Sequence, residues 1–161
     1  MRLVGPHRYN VTVQNGGGYT VLNSSGGNTF LAPITQRGPK LYVFASEGTL
    51  IYVGQTVQGM GARIRMGFQA HGAGGYYGYA WRNELRTAEL LVWCLEDVQK
   101  EEELRALECI ESEIVFTYRQ QVAQWPRHQT EIHFHESTAE HRALAQQVFG
   151  LFPGHEEVAR T

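Results

Sequence analysis

Two tyrosines, an arginine and a glutamate carry most of the chemistry that this 161-residue chain offers. Tyr42 and Tyr52 lie in two short β-rich runs, Leu41–Ala45 and Leu50–Gly54, on either side of Ser46-Glu47-Gly48-Thr49. That pattern predicts a hairpin. If Phe44 pairs with Tyr52, then Tyr42, Phe44 and Tyr52 share one face; a register shifted by one separates the tyrosines. Arg63 follows between Ala62 and Ile64, on a helix expected over 58–70. There a planar guanidinium serves either as a phosphate fork or as a plain surface group. Glu111 falls within the apolar stripe Leu104, Leu107, Ile110, Ile114, Val115, Tyr118 of a helix expected over 98–119. Glu113 is expected on the opposite side and Glu108 on the edge. A carboxylate in such a stripe is costly unless it meets an arginine in a buried ion pair or is aimed into a cleft, where it can hold a metal.

The order of these residues is more specific than any one of them. Lys40-Leu41-Tyr42-Val43, then Tyr52-Val53-Gly54-Gln55-Thr56, then Arg63-Ile64, then Glu111-Ser112-Glu113-Ile114-Val115 resembles the GIY-YIG nuclease superfamily over residues 40–129. The resemblance implies a small, mostly antiparallel sheet flanked by helices, and DNA cleavage with Mg²⁺ (or Mn²⁺). It implies Tyr42 as general base or water-orienting group, Tyr52 as hydrogen-bond partner of water or phosphate, Arg63 as stabiliser of phosphoryl charge and Glu111 as metal ligand. The chain departs from the pattern in three places. Leu41 and Val43 flank the first tyrosine. Gly67 stands where the family has a histidine, leaving His71 as the nearest. Gln129, or else His128, stands in for an asparagine that follows a proline. Phosphodiester hydrolysis requires an activated water, neutralised phosphoryl oxygens and help for the leaving oxygen, and these residue types meet that list. A phenol with an ordinary pKa near ~10 acts as a base at neutral pH only if the metal or the arginine lowers it.

Other readings compete. Gly54–Gly59 has phosphate-loop glycine spacing, but Met60 stands where the lysine belongs, and Gly59-Met60-Gly61 lacks a third dinucleotide-fingerprint glycine. His133 and His135 on an expected strand Thr130–Phe134 suggest a zinc hydrolase. Tyr76-Tyr77-Gly78-Tyr79-Ala80-Trp81-Arg82 suits either base stacking or a packed loop. With Arg65 and Arg86, Tyr77, Trp81 and Arg82 form the candidate DNA contacts. The first 95 residues hold eight Lys/Arg against three acids, the remainder six against thirteen, so the first part is the expected phosphate-facing side. A nucleic-acid-binding module that no longer cuts is the non-enzymatic alternative.

The elements that must position these residues read as a single α+β domain. Residues 1–39 form an N-terminal hairpin extension, with Tyr9, Val11, Val13 and Tyr19, Val21 around Asn15-Gly16-Gly17-Gly18. The core follows at 40–129, and a C-terminal strand and helix at 130–161. Thr87–Leu95 is apolar enough for a central strand. A last helix is expected over Ser137–Phe149, with Ser137 as N-cap and Glu140 completing a capping box. No apolar run is long enough to span a membrane, and the N-terminus lacks a signal-peptide core. Cys94 and Cys109 read as buried reduced thiols, which points to the cytoplasm. With no separate recognition domain, the closest likeness is a small standalone restriction endonuclease, dimeric if it cuts both strands of a palindrome.

Overall fold

The computed structural model describes residues 1–14, 18–129 and 132–152. Five strands form one sheet: β1 (Arg2–Val13), β2 (Tyr19–Asn23), β3 (Lys40–Ser46), β4 (Thr49–Thr56) and β5 (Thr87–Glu96), in the order β2-β1-β5-β3-β4. Every neighbouring pair is antiparallel. Three helices cover the sheet: α1 (Met60–Gln69), α2 (Glu103–Val122) and α3 (Ala139–Phe149). The α+β class and the flanked antiparallel sheet thus stand as expected, and β5 is central, as its apolar run requires.

Alternation along β3 divides the protein into two cores. Leu41 and Val43 point to one side, with Val53, Leu91, Trp93 and Leu95, against Leu107, Ile110, Ile114 and Val115 of α2 and Ala145, Val148 and Phe149 of α3. Tyr42 and Phe44 point to the other side, with Leu90 and Val92, against Met60, Ile64 and Phe68 of α1 and the loop residues Tyr79 and Trp81. The N-terminal hairpin is no appendage. β1 is longer than the alternation from Tyr9 suggested, and it pairs with β5 from Arg2 to Thr12 through an irregularity between Val4 and His7. Most of the expected hairpin turn, Asn15-Gly16-Gly17, lies outside the described residues.

Three local expectations change. Ile132–Phe134 forms no strand, while Thr130 and Glu131 lie outside the described residues. Leu104 belongs to the first turn of α2 but stays exposed at 49%. The N-cap of α3 is Thr138, one residue later than expected, with His141 as its capping-box partner. Ser137 is unavailable because its hydroxyl donates to Glu113. A tertiary hydrogen bond therefore chose between two overlapping capping templates.

Lys40 connects the sheet to α1. It is 2% exposed, and its ammonium donates to the carbonyls of Gln36 (2.6 Å), Gly38 (2.9 Å) and Gln58 (3.3 Å). Its three protons are all used, which is how a buried ammonium is tolerated. Burial lowers its pKa. The bond to Gln58 holds the turn that launches α1, and so sets where Arg63 begins.

Candidate active site

The register of β3 on β4 decides the first question. Phe44 pairs with Tyr52 and Tyr42 pairs with Gly54. Tyr42, Phe44 and Tyr52 therefore project from one face, with the two tyrosine rings 6.1 Å apart. Gly54 does not turn the chain, because β4 continues to Thr56. It makes room instead: a Cβ at Gly54 would come within 2.6 Å of the Tyr42 hydroxyl and 2.8 Å of the Tyr52 ring. The glycine lets the Tyr42 ring lie across β4.

Arg63 reaches this face from α1. Its Nε donates to the Tyr42 hydroxyl at 2.9 Å, and its guanidinium lies 5.4 Å from the Tyr76 ring centroid. The Tyr79 hydroxyl donates to the same Tyr42 oxygen at 3.3 Å. Tyr42 is fully buried and is fixed by these two polar neighbours. Burial pushes the Tyr42 phenol well above its ordinary pKa, and the opposing charge of Arg63 does not cancel the effect. Burial does the same to Tyr52, with Tyr42 and the Glu111 carboxylate adding to the rise. Arg63 is held firmly charged because its phenolic neighbours outweigh its desolvation. At neutral pH these phenols are therefore protonated beside a fixed cation.

Glu111 arrives from the other side of the sheet. Gln129 bridges it to the exposed edge of β4, accepting from the Val53 N–H at 2.9 Å and donating to Glu111 Oε1 at 3.2 Å. The backbone N–H can face only the amide oxygen, so the NH₂ must turn to the carboxylate. Of the two residues that could stand in for the asparagine, Gln129 is the one bonded to Glu111. His128 is buried near Glu84 (3.9 Å), and burial lowers its pKa. The other two carboxylates of α2 are engaged elsewhere. Glu113 is half-buried rather than solvent-facing and accepts from Ser137. Glu108 meets His135 at 2.7 Å and His133 at 3.9 Å.

That pair of histidines does not support zinc. They lie on no strand and share one carboxylate, and among the described residues no group of three or more His, Cys, Asp or Glu could hold a metal. A lone carboxylate oxygen donor suits Mg²⁺ or Mn²⁺, hard ions that keep several waters and take substrate oxygens as further ligands.

Tyr79 is the residue that sequence reasoning missed. It supplies the second hydrogen bond on the Tyr42 hydroxyl. A Cβ at Gly67 would come 2.2 Å from the Tyr79 ring, and one at Gly78 would come 2.0 Å from the Gly67 carbonyl. The loop lies directly on α1, and any side chain at 67 would push Tyr79 off Tyr42. The signal was a glycine inside an amphipathic helix, where it costs about 1 kcal/mol relative to alanine and so marks a close approach. His71 stands on the surface, its ring 3.0 Å from the Gln69 carbonyl.

The candidate DNA contacts divide. Tyr77 is 71% exposed, and Arg65 and Arg86 are exposed. Trp81 is fully buried against Phe44, Phe68 and Tyr79, so it cannot stack on a base. Arg82 is a helix cap: its guanidinium donates to the carbonyls of Gly67 (2.7 Å), Phe68 (2.6 Å) and Ala70 (2.6 Å), which α1 leaves open. Replacing it would disturb α1 before it disturbed any phosphate contact. Arg2 and Arg8 pair across strands with Glu96 and Glu89, and Lys40 is buried, so the basic surface of the first part is smaller than its composition suggests.

Comparison of the chain with protein-family models, with characterised proteins and with solved structures finds no match. The likeness to the GIY-YIG nucleases rests on the sequence motifs alone.

Proposed function

We propose that this protein is a metal-dependent endodeoxyribonuclease of GIY-YIG type, cutting phosphodiester bonds at the β4 edge. The observation that carries the reading is the hydrogen bond from Arg63 to Tyr42, made beside Tyr52 and next to the Gln129–Glu111 pair. It sets a fixed cation and phenolic donors close to a single carboxylate. A phosphodiester requires that pairing, with positive charge for its non-bridging oxygens and an anchor for a divalent ion.

Glu111, oriented by Gln129, would hold Mg²⁺ or Mn²⁺. When bound, the ion lowers the pKa of water and offsets charge on the leaving oxygen. Arg63 neutralises the phosphoryl oxygens. Tyr42, fixed by Arg63 and Tyr79, is the group that orients the attacking water in this reading. Tyr52, half-buried and protonated, donates to water or phosphate. DNA is the substrate in this reading, a restriction-type role its closest fit and a homodimer the form that cuts both strands. Among the described residues no helix is long and apolar enough to cross a membrane. Cys94 and Cys109 are free thiols, with burial raising the pKa of each, in keeping with a reducing cytoplasm.

Incubating the purified protein with supercoiled plasmid and with single-stranded DNA, in Mg²⁺ or in EDTA, tests the reading. Cleavage in Mg²⁺ that Arg63→Ala abolishes is expected. Binding without cleavage would leave the non-cutting module as the function, and neither binding nor cleavage would remove nucleic acid altogether.

A further inference from the structure

α1 has a second surface besides the one that holds Arg63. Met60, Ile64 and Phe68 face the core, and Arg63 stands on the flank. On the far side, Ala62, Arg65, Met66 and Gln69 recur at the i, i+3, i+4, i+7 spacing of one helical face. The loop after α1 folds back over this face. Gly72 and Gly74 there take left-handed conformations, with φ of 96° and 65°. The result is a depression of about 460 Å³, walled by Ala62, Met66 and Tyr76 and rimmed by Arg65, Gln69 and His71.

Two features of this depression bear on its occupant. Its lining is mostly apolar, its polar groups are an arginine, an amide and an imidazole, and among the described residues no carboxylate lines it. It therefore favours a flat, partly apolar group attached to an anion. Tyr76 is also shared with the catalytic face: it lines the depression, and Arg63 lies over its ring at 5.4 Å. A phosphate held by Arg63 would place its own nucleotide at the mouth of the depression. Two other depressions have a different character, one lined by Glu47 and Glu89 and one by Glu89 with Arg8.

We propose that this depression is a nucleobase subsite, which takes an unpaired base adjoining the scissile phosphodiester. The base lies against Tyr76 and Met66, and Gln69 and His71 meet its polar edge. Arg65 contacts the following phosphate. A base within a duplex cannot enter, so the substrate at this position is a single strand or a nucleotide turned out of the stack. This assignment rests on the nuclease reading and deepens it, by naming what lies next to the cut.

Abasic scanning tests the assignment. A labelled 12-nucleotide single strand, with one base removed at each position in turn, is titrated with the wild-type protein in EDTA. The same titrations use Ala62→Trp, which fills the depression from an exposed site, and Met66→Glu, which charges its wall. One position should show binding weakened about 5- to 150-fold by loss of the base, the range for one stacked base. In both variants the intact strand should bind that much more weakly, and the penalty at that position should vanish. Melting curves of the variants confirm that they are folded. No position-specific penalty, or a penalty that persists in both variants, overturns the subsite. If that happens while the wild type still cuts in Mg²⁺, the nuclease reading stands without it. If the wild type neither binds nor cuts, the nuclease reading falls and the subsite with it.

Discussion

On the side of the sheet covered by α2 and α3, the buried residues are largely aliphatic: Leu41, Val43, Leu91, Leu107, Ile110, Ile114, Val115 and Val148. On the side covered by α1 aliphatic residues surround an aromatic cluster of Tyr42, Phe44, Phe68, Tyr79 and Trp81, with Tyr79 edge to face against Phe44 and Phe68. The aliphatic side holds by area and shape, which have no direction. The aromatic side buries hydroxyls that must find partners, so Tyr42, Tyr79 and Arg63 satisfy one another. In the proposed nuclease, stability and chemistry are thus separated by the sheet and meet at the β4 edge, where Glu111 comes round from the aliphatic layer. The separation makes a strong claim, that damage on one side should be read mainly in stability and damage on the other mainly in rate.

Glu111→Gln should break the chemistry most severely. Loss of the carboxylate that Gln129 ties to β4 should lower metal-dependent cleavage by at least about 10³-fold, with the melting temperature unchanged or slightly raised. Glu113→Gln should cut nearly normally, because that carboxylate serves Ser137. Rates for both variants across a Mg²⁺ titration decide it, and the reverse pattern would end the assignment of Glu111. On the aliphatic side, Leu107→Ala should cost about 2–5 kcal/mol in denaturant unfolding. The fraction still folded should keep its rate, and a loss of rate per folded molecule would show that the sheet does not separate the two roles.

Gly67→Ala probes the contact between α1 and its loop. In an open helix the change gains up to about 1 kcal/mol. Here the new methyl overlaps the Tyr79 ring, so a net loss of about 1–3 kcal/mol and slower cleavage are expected. Tyr79→Phe keeps the ring and removes only the bond to Tyr42, so it should slow cleavage about 10-fold without changing the melting temperature. A Gly67→Ala protein that is more stable and fully active would mean that Tyr79 does not position Tyr42.

The smallest effect belongs to α3. His141 accepts the Thr138 N–H through Nδ1, which only the neutral ring can do, and burial lowers its pKa below the ordinary 6.5. The unfolded chain takes up the proton more readily, so the stability from this cap is present above the ordinary value and is lost as pH falls below it. Stability should therefore decline by about 1 kcal/mol on acidification through that range, and His141→Gln, which keeps an acceptor at the same position, should reduce the decline. Unfolding curves at several pH values measure both.

Periodicity and spacing determined much of this protein on their own. Alternation marked β3 and β4, an uninterrupted apolar run marked β5 as central, and an apolar stripe marked α2. These are local consequences of side chains that recur every two or every 3.6 residues. The tertiary structure decided what depended on contacts between residues distant in the chain. Pairing of Phe44 with Tyr52 settled which way the tyrosines face, a choice that one residue of slip would reverse. Ser137 lost its place as a cap to Glu113. Trp81 and Arg82, polar-edged and aromatic in the sequence, became core and helix cap because α1 needed both a covering ring and partners for its last carbonyls. Tyr79 entered the site through two glycines, Gly67 and Gly78, whose meaning lies in how closely two backbones approach. No one-dimensional pattern records that distance, which is why folding had to assign the second hydrogen bond on Tyr42.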